Sequence, residues 1–392
     1  MKLNNYTDVI IAGGGPVGML LGIFLLQMGI SCRIIERRME PYPHSRSIGI
    51  HPPSLHLLEE AGVVEPVLEQ GVQIDEGLAY LDGELAGSVN FKACPPPYPF
   101  IVSLPQNRSE QILEQRLNQL DPGALLRGWE VSDVNKVGQE AEIIIENTNS
   151  KIGSDSQTIR GKIVAGCDGK NSDIRNWAGI PFQRTRYPDT YVMGDFADNT
   201  RWGPKAAVIL HLEGLIESFP LSGNKRRWVA KTGKRLKSPT PENITNVIRG
   251  RFGSAPDPST CTMASGFGVE KALAQTMVSG NMLLAGDAAH LVSPIGGQGM
   301  NLGWLDAWDA AEAIRRKLRD NDHVSWAAYN QKRRREAKIC IRRAELNMSL
   351  GRKRSRIGHQ LRALLAKAIL RDPLRSVMAR RFAMYDRNAW LI

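Results

Sequence analysis

Between two short apolar strands, Asp8–Ala12 (DVIIA) and Ser31–Glu36, the chain places Gly13, Gly14, Gly15 and Pro16, followed by an uncharged helix-forming run, Val17–Met28. No other feature constrains the fold as much. Strand, glycine turn, apolar helix and strand form a βαβ unit, whose strands are parallel and whose sheet must be covered by helices. Hydropathy alone would also allow a signal peptide or a membrane span over the 24 uncharged residues from Val9 to Cys32. The glycines and Pro16 break that run. Its uninterrupted remainder, Val17 to Ile30, has 14 residues, short of the ~20 that cross a bilayer.

Within the unit the glycines read Gly13-x-Gly15-x-x-Gly18, and Glu36 closes the second strand 18 residues after Gly18. Such glycines permit a tight turn, approach of the backbone to a pyrophosphate, and close packing of helix on strand. The phosphates would sit at the helix N-terminus, where free amides and the helix dipole favour negative charge. An acid at the end of the second strand can accept hydrogen bonds from a ribose. The pattern predicts a dinucleotide site without separating NAD from FAD.

Two later segments bear on that choice: Ile163–Arg175 (IVAGCDGKNSDIR) and Asn281–Gly303 (NMLLAGDAAHLVSPIGGQGMNLG). With GGGPVG and Glu36 they closely resemble, in order and spacing, the class A single-component flavoprotein monooxygenases, the p-hydroxybenzoate hydroxylase-like aromatic hydroxylases. The resemblance covers essentially the whole chain. It implies FAD held at Gly13, Gly15 and Gly18 with Pro16, Val17 and Arg37 beside them, Glu36 on the adenosine ribose, and Asp287 on the ribityl chain. It also implies that Arg46 and Gln106 lie near the flavin and that Asp168 serves both FAD and the nicotinamide reductant. NADH or NADPH would bind transiently, since no second fingerprint is present. A flavin C4a-hydroperoxide would then deliver oxygen from O2 to an aromatic or lipophilic, quinone-like substrate. Two other readings stay open: an FAD-dependent reductase of an isoprenoid or other lipophilic substrate, and an FAD-bound interaction protein without activity.

The second motif has its own physical logic. Gly297 and Gly299, after Pro294, let the backbone lie flat against a ring. A helix starting near Gly299 points the amides of Met300 and Asn301 at whatever lies in front, which favours an anionic ring. His290 reads as a local structural hydrogen bonder rather than an acid or base. Pro294 and His211 are the candidates nearest the chemistry.

From Arg184 to Gly268 short strands alternate with Gly, Pro and Asn turns, predicting a mainly antiparallel sheet that also takes in Gln73–Tyr80 and Ser88–Phe91. Tyr191, Met193, His211, Phe219 and Trp228 are its candidate substrate-pocket residues. The expected fold is α/β: a Rossmann-like FAD domain with a parallel sheet (1–75, 100–179 and 268–312), a mainly antiparallel substrate domain (76–99 and 180–267), and a basic helical region (313–392). No thioredoxin-like extension or tryptophan-rich halogenase segment is expected.

Five cysteines without a CxxC, and seven histidines without ligand spacing, predict a reducing, cytoplasmic setting and no metal site. The chain carries a net charge of +11, but 22 basic and 6 acidic residues lie between Ala313 and Ile392. The rest is mildly acidic, so no nucleic-acid partner is expected. Leu361, Leu364, Leu365 and Ile369, then Leu374, Val377, Met378, Phe382 and Tyr385, recur at helical spacing. The favoured reading is two helices packed on the core with solvated charge outside; peripheral contact with an anionic membrane through 313–392 is the sharper one. Monomer and homodimer both fit.

Overall fold

The computed structural model describes residues 5–42, 47–137, 140–149, 155–320 and 322–385. Its first sheet grows from Tyr6–Ala12, whose Val9, Ile10 and Ile11 are fully buried. That strand pairs in parallel with Cys32–Glu36 on one side and Ser156–Gly166 on the other. Leu125–Arg127 and Met282–Leu284 extend the parallel order outward. Burial on both faces explains why these strands read as continuous apolar runs. The helix Pro16–Gln27 packs on the sheet with Gly18 through Leu25 all buried, an almost uniformly apolar cylinder.

The second sheet is mainly antiparallel. Its strands run in the order His290–Leu291, Met263–Ala274, Phe182–Ala197, Lys225–Thr232, Gly214–Leu221, Ala206–His211, Glu76–Leu81, Glu84–Asn90. Alternation divides their side chains between two faces. Val192, Phe196, Ile209, Ile216, Trp228 and Ala230 face the helix Pro241–Phe252 through Ile244 and Ile248. Tyr191, Met193, Leu215, Val229, Phe267 and Val269 face the other way, against Ile295 and Met348. The fold is thus mixed α/β with C-terminal helices, as the sequence suggests. The expected strand Gln73–Tyr80 is divided at Asp75: Val72–Ile74 joins a small three-stranded sheet and Glu76–Leu81 the large one. We propose that the two sheets mark the two domains, with Met263–Ala274 running between them.

Gln298–Asp320 and His323–Leu350 are the long C-terminal helices. Residues 331–335 (QKRRR), in the second of these helices, are not a solvated face throughout, because Arg333 is 1% exposed. It contacts Asp306 and Glu336, lies 3.3 Å from Asp309, and donates to the Leu302 carbonyl at 3.1 Å. Two shorter helices follow, Arg356–Ile369 and Leu374–Phe382. The core contact expected for the leucines of the first does not form: Leu361, Leu364 and Leu365 are exposed. On its inner side His359 and Arg362 instead meet Asp82 and the backbone carbonyls of Leu350, Arg352 and His211.

Candidate active site

The glycine turn is shaped by contacts that leave no room for side chains. Gly13 has φ +101°, and a Cβ there would lie 2.3 Å from the Cys167 carbonyl oxygen; one on Gly18 would lie 2.0 Å from the Gly13 carbonyl oxygen. Gly15 has no described atom within 4 Å of the corresponding point. Two glycines therefore close the turn against its neighbours, and the third opens it to a cleft. No described side chain caps the helix that starts at Pro16, which leaves its first amides to a phosphate.

The cleft has a volume of about 560 Å³ and lies between the glycine turn, the Cys167–Asp173 segment, the Ala285–Met300 loop and the strand bearing Phe267–Val269. Gly13, Gly15, Pro16, Val17, Glu36, Arg37, Gln106, Asp168, Asp287, Pro294, Gly297, Gly299 and Met300 all line it. Thirteen residues from distant parts of the sequence thus reach one space. Gly18 is buried beneath the turn. Asn301 is fully buried as well. Its amide donates to the Gly49 and Gly297 carbonyls at 2.9 and 2.8 Å, and its oxygen accepts from the His51 N–H at 2.9 Å. It fixes the loop rather than facing the cleft. Arg46 lies outside the described residues.

Glu36 accepts from the Gly14 N–H (2.8 Å), the Arg38 N–H (2.9 Å) and Arg38 Nε (2.7 Å). Burial pushes its carboxyl upward, but the Arg38 guanidinium and the amides outweigh that, and the net shift is downward. Gln106 donates to Glu110 at 2.7 Å, and burial raises the carboxyl of Glu110. Glu110 lines the cleft too, although no sequence motif marks it. Asp168 caps the helix Asp173–Trp177 through the Asp173 and Ile174 amides at 2.8 and 3.2 Å. Its other oxygen, Oδ1, is buried without a partner among the described residues. Asp287 is exposed in the cleft, and the cleft walls around it raise its carboxyl above the ordinary range by partial desolvation. A carboxyl so placed gains from hydroxyl donors.

His290 has a structural role. Its Nε2 lies 2.6 Å from Asp306, whose same oxygen accepts the Gly286 N–H at 2.8 Å. With Arg333 beyond it, Asp306 ties the loop to the long basic helix.

The candidate pocket residues of the second sheet separate. Tyr191 and Met193 stand on the face toward the Ile295 loop, and Tyr191 stacks on Phe267 with ring centroids 5.6 Å apart. Trp228 packs on the opposite face, beneath the helix Pro241–Phe252. Phe219 joins a separate cluster with Ile74 and Phe91. His211 ends a hairpin strand, with Nδ1 accepting the Glu213 N–H at 3.1 Å. None of these five candidates lines the cleft. The apolar-strand signal could not separate these positions, because both faces of the sheet are covered.

One residue passed over in the sequence is Glu217. It pairs across the sheet with Val229 and Val208, which puts it on the same face as Met193. Burial, with no compensating partner among the described residues, raises its carboxyl to about 7. Tyr191 stands on that face with its hydroxyl buried and without a partner among the described residues, and burial, followed by the charge of Glu217, raises its pKa. Charged pairs flank them: Arg227 with Asp195 at 2.7 Å, and Lys231 with Asp189 at 2.9 Å.

The FAD-binding domain family matches residues 6–344. The chain belongs to the FAD-dependent aromatic hydroxylases. An uncharacterized aromatic compound monooxygenase of Bacillus subtilis is 31% identical over 361 residues, 88% of this chain and 68% of that protein. Pentachlorophenol 4-monooxygenase of Sphingobium chlorophenolicum is 29% identical over 77% of this chain, which spans 56% of its length. Among solved structures, p-nitrophenol 4-monooxygenase from Pseudomonas putida superimposes with a TM-score of 0.86 at 20% identity, covering 98% of both chains, a likeness of fold. FAD is the cofactor of this hydroxylase family, and the residues lining the cleft fit it: an open glycine turn before an uncapped helix, the buried acid Glu36 and the exposed acid Asp287.

Proposed function

We propose that this hydroxylase is an FAD-dependent monooxygenase that uses NADH or NADPH and O2 to hydroxylate an aromatic substrate, phenolic or polycyclic. The observation that carries the reading is the cleft itself, an FAD-sized space bounded on one side by the glycine turn and on the other by the Phe267–Val269 strand. Bound FAD would supply electron transfer and oxygen activation. The chain's own residues bind, orient and shield. Gly15 and the amides after Pro16 would take the pyrophosphate, Glu36 the ribose, and Asp287 the polyol hydroxyls. The N-terminal amides of Gln298–Asp320 would stabilise negative charge on a ring lying over Gly297 and Gly299. Phe267, Val269, Leu291 and Val292 would keep water from the reacting centre.

On the substrate side, we assign Glu217 and Tyr191 to a ring hydroxyl. Carboxylate Glu217 would accept its proton and the Tyr191 O–H would donate to its oxygen, making the ring more electron-rich. Relatives named for chlorinated and nitrated phenols support a phenolic substrate. The test is NAD(P)H oxidation by FAD-loaded protein with a panel of phenols under ¹⁸O2. Label from O2 in a hydroxylated product is expected. Product formation under strict anaerobiosis would instead establish a reductase.

A further inference from the structure

The helix Arg356–Ile369 is packed inside out. Its buried side chains are His359 and Arg362. His359 Nε2 lies 2.6 Å from Asp82, and Arg362 donates to the carbonyls of Leu350, Arg352 and His211 at 2.7, 2.9 and 2.8 Å. The aliphatic residues point the other way: Ile357, Leu361, Leu364 and Leu365 are 73, 63, 66 and 52% exposed. Their spacing places them on one stripe along the helix. Leu374 and Val377 on the next helix, 49 and 51% exposed, add to the apolar surface. Amphipathic helices of globular proteins turn such stripes toward the core. Here the hydrogen bonds of His359 and Arg362 fix the opposite orientation, so the stripe is held outward by its own anchoring.

Charge decides what would cover it. Residues 352–382 contain ten Lys and Arg against a single acid, Asp372. Lys367, Arg371, Arg380 and Arg381 are exposed. A second copy meeting the stripe face to face would bring the same cationic surface against its own. An anionic bilayer accepts leucines among its acyl chains and arginines among its headgroups at once. No described helix is long and apolar enough to cross a membrane, so the surface would lie in the interface plane. We propose that Arg356–Ile369 and Leu374–Phe382 form a docking surface for anionic membranes.

Flotation of the full-length, FAD-loaded protein with vesicles tests this. Binding is expected to phosphatidylglycerol–phosphatidylcholine vesicles and not to phosphatidylcholine alone, and it should fall in ~1 M salt, where the Debye length shrinks to about 3 Å. Leu361→Ser/Leu364→Ser/Leu365→Ser alters exposed positions only. It should retain FAD and its melting temperature, yet bind at least about tenfold more weakly. Absence of binding to anionic vesicles at low salt would overturn the proposal, as would a triple variant that binds like the wild type. A lipid-free dimer that the triple variant dissociates would assign the stripe to a second copy and overturn it equally.

Discussion

The two walls of the cleft are built by different means. On the cofactor side, position is enforced by backbone: Gly13 and Gly18 sit where a Cβ would fall within 2.3 and 2.0 Å of a carbonyl oxygen. On the sheet side it is enforced by alternation, which fixes the face a residue occupies but leaves its chemistry free. Tyr191, Met193, Val229 and Glu217 share one such face, beside the Phe267–Val269 strand that lines the cleft rather than in the lining itself, and any of them could be replaced without breaking a hydrogen-bond ladder. Substitutions on the cofactor side should therefore act through fold and FAD content, and those on the sheet side through titration and recognition.

The largest expected effect tests the first half of that contrast. Gly13→Val adds side-chain atoms against Cys167 and Asp168 and imposes a β-branched residue at φ +101°, so the turn must open. Protein without FAD, or insoluble protein, is expected. Fully yellow protein would show that the turn is more compliant than its contacts imply.

Arg333→Met comes next. The guanidinium is buried among Asp306, Asp309 and Glu336, and its loss leaves those carboxylates facing one another. Removing one partner of a buried ion pair costs about 3–5 kcal/mol. Denaturant titration should register that loss while the glycine turn keeps its sequence. An unchanged midpoint would mean that the long basic helix is not anchored through this network.

Asp287→Ala should be milder, since it removes hydrogen-bond acceptors without a steric clash. Loss of charged hydrogen bonds worth about 1.5–3 kcal/mol corresponds to FAD affinity lower by roughly 10- to 150-fold. Equilibrium dialysis of FAD measures it. Affinity equal to wild type would remove Asp287 from the cofactor wall.

How much could be read from sequence follows the same division. The glycine turn, Glu36, Asp287 and the 294–300 loop were legible because each answers to a steric or hydrogen-bonding demand that only certain residues meet. Asn301 was legible as part of the loop motif, but its inward orientation was not. The sheet was legible as strands, yet both faces are buried, so apolar character could not show that Trp228 and Tyr191 look in opposite directions. Glu217 escaped because an acid in a strand gives no local sign of burial. The helix Arg356–Ile369 escaped because periodicity reveals a stripe without revealing which way it turns.

Glu217→Gln comes last because its predicted effect vanishes at low pH, and it is the one specific to the sheet side. A carboxyl whose folded-state pKa is raised to about 7 binds more protons in the native than in the unfolded state between its ordinary value of about 4.5 and about 7. Its contribution is therefore present at low pH and is lost as pH rises through that window. At pH 8 the wild type bears the cost of a buried, unpaired charge, up to about 3 kcal/mol, and the amide does not. The variant should melt a few degrees above wild type at pH 8 and level with it at pH 5. A phenol that shares its proton with Glu217 should narrow the pH 8 gap in the wild type alone. Parallel melting curves across the whole range would mean that Glu217 meets water freely, and the sheet wall would then hold no buried acid to offer a substrate.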